Sequence, residues 1–260
     1  MVVHGGPGRR GRVDRPPLTA FLRTALRLLT VQACWNYERM IGVGLGYATE
    51  PLLRALPGGR EGERYRGAMR RAARYFNAHP YLTGLAAGAL ARAEHEGVPG
   101  ERIERLRTAL LGPLGAVGDR LVWAGTLPAA SAVGLVLCAS APAGVGALAL
   151  LALFNVPHAT LRVWGLRAGW RSGTSLARAL AEPVLTTGLR WVGPAAALGV
   201  GVALPFVAHR LAADLDLPAI GAGATSALGS WVAARWLAPA LGGVRLGLLA
   251  AVAVLLGSWL

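Results

Sequence analysis

Apolar and polar positions divide this chain into two unlike halves. From Leu18 to Leu29 the apolar residues Leu18, Phe21, Leu22, Ala25, Leu26 and Leu29 recur at helical spacing, with Arg23 and Arg27 on another face. That pattern predicts an amphipathic helix lying on a membrane surface, on a partner helix or on the protein's own core. Residues 60–75 predict a strongly basic helix that stops before Phe76-Asn77-Ala78-His79-Pro80, because proline disfavours helix in the residue ahead of it. Tyr81 to Leu90 is apolar but too short for the roughly 30 Å hydrocarbon core, which takes about 20 helical residues, so a re-entrant hairpin arm is expected. A polar stretch, Arg92 to Gly97, and a charged helix over 101–111 come next. The glycine-rich stretch Gly112 to Gly118 then predicts a turn leading into Asp119.

Beyond that point the pattern changes. Thr126 to Ala159 carries no charged side chain, a length that fits one steep span plus a broken or re-entrant piece divided near Pro142. Arg162, Arg167, Arg171 and Arg178 come after it and predict a cytoplasmic loop. Three further apolar stretches, about Val184 to Ala208, Leu217 to Leu241 and Val244 to Leu260, are each near spanning length. Arg190, Arg235 and Arg245 interrupt or flank them, and Arg245 is expected at an interface because a mid-bilayer arginine is costly. The expected fold is an all-α membrane protein with several transmembrane helices plus re-entrant and amphipathic helical segments. It is organised as a basic disordered tail over 1–17, a motif-bearing region over 18–180 and C-terminal transmembrane helices over 181–260.

Composition sharpens this reading. Charged residues make up only 15% of the chain, against about 25% in soluble domains, and the acids after Asp119 are Glu182, Asp214 and Asp216 alone. A soluble protein needs charge over its whole surface. The net charge of +14 raises nucleic acid as a partner, but the arginines cluster at Arg9, Arg10, Arg12 and Arg15 and again from Arg60 to Arg74, beside apolar segments. That placement suits the cytoplasmic flank of a membrane protein, not a phosphate backbone. Cys34 and Cys138 have neither CxxC nor zinc-site spacing, so no metal and no disulfide framework is expected. The first residues, with Gly5-Gly6-Pro7-Gly8, lack the apolar core of a secretory signal, so insertion is expected from internal segments.

Four ordered blocks then point to one family. They are Trp35-Asn36-Tyr37-Glu38-Arg39-Met40, Phe76-Asn77-Ala78-His79-Pro80, Gly112 to Asp119, and Leu153-Phe154-Asn155 continued by Arg162, Gly165, Gly169, Arg171 and Gly173. Together they cover about residues 18 to 175, and the set resembles the IID membrane component of the mannose/fructose/sorbose class of bacterial sugar phosphotransferase systems. The sequence departs from the family pattern at Arg120, where a proline is usual, at Ala124 in the usual Trp-Gly-Thr, at Ile41, and at Pro157 and His158.

The resemblance, taken with residue chemistry, selects a sugar site. Hydroxyls both donate and accept hydrogen bonds, and pyranose faces present C–H to aromatic rings. Trp35, Asn36, Glu38, Asn77, His79, Gly118, Asp119 and Trp123 supply that vocabulary and are the expected substrate-binding residues, with Asp119 and Asn77 as hydroxyl ligands and Trp35 as a wall. Bland alternatives stand beside each. Glu38 and Arg39 suit pairing across a subunit interface, His79 suits fixing a turn, Asp119 suits capping a helix, and Trp123 suits an interfacial anchor. Tyr37, Phe76 and Phe154 read as core.

What the resemblance implies about function is a permease subunit. It pairs with a IIC membrane subunit in the bacterial inner (cytoplasmic) membrane, as part of a hetero-oligomer, to move a hexose that receives phosphate from soluble IIA and IIB proteins. His4, His79, His95, His158 and His209 include none in a recognisable phospho-acceptor setting, so this chain is expected to carry no phosphoryl group itself and no cofactor. A second reading is a divergent IID protein with a sensory or regulatory role in an incomplete system. A third, a stand-alone membrane enzyme, would need paired acids that Glu182, Asp214 and Asp216 do not provide.

Overall fold

A computed structural model describes residues 15–212. The first fourteen residues of the expected tail and the expected spans over 217–241 and 244–260 lie outside the described residues. The chain divides into two compact units, residues 1–201 and 202–260. The helices of the first unit are α1 (Leu18–Arg27), α2 (Gly42–Leu53), α3 (Glu63–Ala72), α4 (Thr83–His95), α5 (Gly100–Gly118), α6 (Leu127–Ser140), α7 (Ala143–Ser172), α8 (Leu176–Leu180) and α9 (Pro183–Ala212), which runs on past the division. Short 3-10 turns occupy Leu28–Thr30, Gly59–Glu61 and Pro80–Leu82, and a π-helical segment, Asp119–Thr126, joins α5 to α6.

Helix α1 has the expected periodicity but uses two apolar faces. Ala20, Phe21 and Thr24 are buried, whereas Leu18, Leu22, Leu26 and Leu29 remain exposed. At the start of α2, Gly44 lies against the main chain of Val31, where no side chain would fit. The carboxylate of Glu50 on α2 gathers Arg27 at 2.9 Å, Arg54 at 2.7 Å and Arg60 at 3.2 Å, and Tyr65 donates to it at 3.2 Å. Burial alone pushes this carboxyl up, yet the three guanidinium hydrogen bonds hold it below the usual range.

The stretch Tyr81–Leu90, expected as a re-entrant arm, lies mostly within α4 at the centre of the unit. Thr83 to Ala91 are all buried, and α4 continues through the polar residues to His95 because each finds a partner. Glu94 takes two hydrogen bonds from Arg71 at 2.7 Å each, and His95 Nε2 lies 3.0 Å from the Leu52 carbonyl oxygen. Much of the basic character of α3 is spent inside the protein in this way, since Arg64 also donates to the Glu94 carbonyl.

Helices α4 and α7 run parallel and approach through interlocked glycines. Gly84 faces the main chain of Arg162 and Leu166, Gly88 that of Leu166 and Trp170, and Gly169 that of Leu85. Gly84 and Gly88 on α4, like Gly165 and Gly169 on α7, are four apart and share a face, so the backbones touch directly. The four arginines expected to leave the membrane as a loop fall elsewhere. Arg162, Arg167 and Arg171 lie within α7, and Arg178 in α8. The helix persists because Leu161, Leu166, Ala168 and Trp170 are buried, and the arginines are accommodated individually. Arg162 covers the Tyr81 ring at 4.2 Å, Arg167 the Phe21 ring at 5.5 Å, and Arg171 reaches Glu182 at 3.8 Å.

The glycine-rich stretch 112–118 is also a correction: it is helix, not turn. Leu110, Leu114 and Gly118, four apart, form the buried face of α5, and that burial overrides the local glycine and proline preference. Asp119 therefore sits inside a continuous helix with αR geometry and caps nothing. The expected break near Pro142 is present. Helices α6 and α7 fold back antiparallel across Ala141-Pro142, with Gly134 against Leu150 and Gly146 against Cys138.

Two helical stretches, Gly100–Ser140 with 41 residues and Gly144–Ser172 with 29, are long and apolar enough to cross a membrane. Their most apolar windows have mean hydropathy 1.8 and 1.5 and are only 28% and 17% buried. The core helix of a soluble domain would be covered by its own protein, and these are not. Helix α9 contains the expected element Val184 to Ala208 as one uninterrupted piece.

Candidate functional site

The expected site residues separate into two neighbourhoods joined by one segment. The first is the turn from Trp35 to Met40. Asn36 and Met40 exchange backbone hydrogen bonds, Met40 N–H donating to Asn36 at 2.7 Å, and Met40 takes a left-handed φ of 51° to close the loop. The side-chain oxygen of Asn36 accepts from the Arg39 amide at 2.9 Å and its nitrogen donates to the Cys34 carbonyl at 3.2 Å, so its hydrogen bonds are directed into the turn. Trp35 and Tyr37 pack edge to face at 4.7 Å, and both are exposed. Tyr37, expected in the core, is 83% exposed because the tight turn throws successive side chains outward. Glu38 is exposed as well.

Residues 75–77 form the joining segment. Phe76 N–H donates to the Arg39 carbonyl and Ile41 N–H to the Phe76 carbonyl, at 3.2 and 3.1 Å. Phe76 is fully buried, as expected of core, and Asn77 beside it is exposed. Arg107 of α5, 3% exposed, secures this segment from below. Its guanidinium donates to the carbonyls of Ala72 and Tyr75 at 3.2 Å and to that of Arg74, and lies 5.2 Å from the Phe76 ring. Carbonyls at a helix C-terminus carry partial negative charge and lack helical partners, so a cation is well placed there.

The second neighbourhood surrounds His79. The ring is 3% exposed, and its Nδ1 accepts from the Tyr81 amide at 3.3 Å, which caps the turn Pro80–Leu82. Gly118 leaves the space that the His79 side chain fills. Trp123, on the π-helical segment, lies 5.5 Å from His79 and is 47% exposed. Burial is the main influence on His79 and lowers its pKa to about 4; Asp119 opposes the shift and Arg162 adds to it. The ring is therefore neutral at physiological pH, with Nε2 carrying the hydrogen, and that atom has no partner.

Sequence reasoning misses the opposite wall. Phe154, His158 and Arg162 are spaced by four on α7 and share a face. Tyr81 stacks on His158 at 4.1 Å, Phe154 meets His158 edge-on at 4.0 Å, and both nitrogens of His158 are buried without a partner. The periodicity is a usable signal, masked because Pro157-His158 reads as a family departure. A groove of about 490 Å³ opens beside His158, lined by Leu121, Val122, Thr126, Leu161 and Trp164 among others. Trp35, Asn36 and Glu38 lie apart from this wall; Trp123 meets it at Phe154 and His79 meets it through Tyr81, with Gly118 and Asp119 beside His79. Among the described residues, no three His, Cys, Asp or Glu side chains converge as metal ligands would.

The model of the PTS system mannose/fructose/sorbose family IID component matches residues 19–208. The fructose permease IID component of Bacillus subtilis (strain 168) is 28% identical over 192 residues, 68% of each chain. The mannose-specific EIID component of Escherichia coli (strain K12) is 29% identical over 164 residues, and the sorbose-specific EIID component of Klebsiella pneumoniae is 30% identical over 164. The aligned region spans only 56% and 57% of those two relatives. Among solved structures, a chain of the mannose transporter ManYZ in complex with microcin E492 superposes with a TM-score of 0.57 at 23% identity, covering 72% of this chain and 70% of that one. Another, described as a membrane protein, superposes at 0.64 with 22% identity, covering 73% and 70%. These likenesses establish a shared all-helical fold.

Proposed function

The chain belongs to the mannose/fructose/sorbose family of phosphotransferase-system IID components, all-helical membrane proteins, and on that premise we propose that it is the IID-like subunit of a sugar permease. In this reading it builds, with a IIC membrane subunit, the path of a hexose across the bacterial inner membrane. It does so as a multi-pass member of a hetero-oligomer, while soluble IIA and IIB proteins bring the phosphate. The hexose class comes from the relatives, which are named for fructose, mannose and sorbose.

The observation that carries the reading is the wall formed by His79, Tyr81, Trp123, Phe154 and His158. Buried ring nitrogens of His79 and His158 without a hydrogen-bond partner stand among aromatic faces, and His158 also borders a largely apolar groove whose volume falls in the usual range for small-molecule sites. A sugar hydroxyl satisfies such a nitrogen whichever tautomer it holds, because it both donates and accepts. Unpartnered buried polar atoms are costly, so a site that completes them on binding gains specificity from the same cost. Asp119, whose charge acts on His79, and Asn77 are both exposed and are the proposed hydroxyl acceptors.

The test uses the chain co-expressed with its IIC partner. His158→Phe keeps the stack on Tyr81 while removing both nitrogens, and Asp119→Asn weakens a charge-assisted acceptor. Each is expected to lower uptake of radiolabelled mannose, fructose or sorbose, whichever the wild type transports, at least tenfold with co-purification of IIC unchanged. Wild-type uptake by both variants overturns the assignment.

A further inference from the structure

The signature turn contributes something that sugar contact does not use. Arg39 is presented by a rigid backbone, since its amide is held by the Asn36 side chain and its carbonyl accepts from both Gly42 N–H at 2.8 Å and Phe76 N–H at 3.2 Å. Its guanidinium is exposed and opens onto a groove of about 720 Å³ shared with Arg70 and Arg74, with Tyr75 as one wall and Glu38 at the rim. Arg70 lies in the last turn of α3 and Arg74 two residues beyond its end, and both side chains line this groove. Three cations against Glu38 and the Glu104 carboxylate paired with Arg74 leave this groove net positive.

The pairing of its arginines differs from that of the other basic clusters. Arg27, Arg54 and Arg60 converge on Glu50, and Arg71 on Glu94. Arg74 has Glu104 at 3.4 Å, while Arg70 finds only the Arg66 carbonyl at 3.4 Å and the Arg39 guanidinium finds no protein acceptor among the described residues. Like charges gathered round one groove repel, and an anion bound among them relieves that repulsion. Guanidinium forks match phosphate oxygens in geometry, two bonds at a time. The Arg74–Glu104 pair also fastens the groove to the charged beginning of the 41-residue helix, the end at which a lipid headgroup would lie.

The geometry points to a phosphate-binding site formed by Arg39, Arg70 and Arg74, distinct from the His79 wall and independent of what that wall binds. Its ligand is a phosphate group, borne by an anionic lipid headgroup or by a free phosphate monoester. The full chain, purified in a neutral detergent, is titrated in one arm with inorganic phosphate and glucose 6-phosphate. In the other arm, reconstituted into nanodiscs, it is assayed for exchange of labelled phosphatidylglycerol against phosphatidylcholine. Saturable binding is expected in at least one arm, and the arm identifies the source. R39Q and R70Q should each weaken it about tenfold. R66Q removes the same charge from the same helix outside the groove and should change it less than twofold. R70Q lies on an exposed helix face, so its result stands if R39Q disturbs the turn. Absence of saturable binding in both arms, or an effect of R66Q equal to that of R70Q, overturns the site.

Discussion

His79 and Gly118 meet where no methyl group fits: a Cβ on Gly118 would overlap both Cβ and Cγ of the histidine. The histidine ring is in this way held by a helix where glycine content alone predicts a turn. Gly118→Ala would gain about 1 kcal/mol of helix propensity, but overpacking of a filled site typically costs about 1–3 kcal/mol, and neither backbone can retract far. The variant is expected to unfold at a lower temperature than wild type. Combining it with His79→Gly should recover part of the loss, since both overlapping atoms are then gone, and thermal unfolding of both singles and the double measures that coupling. Strict additivity would mean that the two residues do not touch.

Acid should loosen the same place. His79 binds its proton near pH 4 in the folded chain, against about 6.5 when unfolded, so between those values the unfolded state holds more protons. Stability is then fully present above about pH 6.5 and falls as pH drops toward 4, by up to about 1.4 kcal/mol per pH unit for one such group. His95 is lowered by burial too and adds to the slope. His79→Gln should flatten part of it without abolishing it. Denaturant unfolding of the detergent-solubilised protein from pH 7.5 to 4.5 gives the two slopes, and identical slopes would show that His79 does not contribute.

Two glycines in the same fold should answer alanine in opposite directions. Gly88 faces the main chain of Leu166 and Trp170, which can move only if α7 moves, so Gly88→Ala is expected to destabilise by several kcal/mol or prevent assembly of the unit. Nothing lies within 4 Å of a Cβ at Gly112, a helical position, and Gly112→Ala should stabilise by roughly 0.5–1 kcal/mol. Melting temperatures of the two variants decide it. Destabilisation by Gly112→Ala would restore the turn that glycine and proline content suggests.

Periodicity and proline carry most of what is legible in the sequence about the fold. The spacing of Phe21 and its neighbours predicts α1, the residues before Pro80 predict the end of the basic helix, and Pro142 predicts the break between α6 and α7. Where glycine suggests loop, the expectation fails for a definite reason. Gly112 and Gly115 sit on the open side of a helix whose other side buries Leu110 and Leu114, and only the tertiary partner makes that side visible. Arg162 and Arg167 suggest a loop because a charge near an apolar run suggests an exit, whereas each lies over an aromatic ring supplied from elsewhere in the chain.

The site is legible by residue type more than by grouping. His79, Gly118, Asp119 and Trp123 do come together, since the segment after Phe76 crosses the end of α5. Trp35, Asn36 and Glu38 belong to a separate turn despite adjacency to the most family-like motif, and nothing in linear spacing encodes that separation. His158 stands out in sequence only as an anomaly, yet its place four residues after Phe154 puts it on the facing wall.

Arg107 holds the segment bearing Asn77 and His79 through three main-chain oxygens, with no carboxylate among them. Peptide oxygens have no proton to gain in any biological pH range. Acid therefore acts through the imidazole a few residues away and not by neutralising the partners of this bracket.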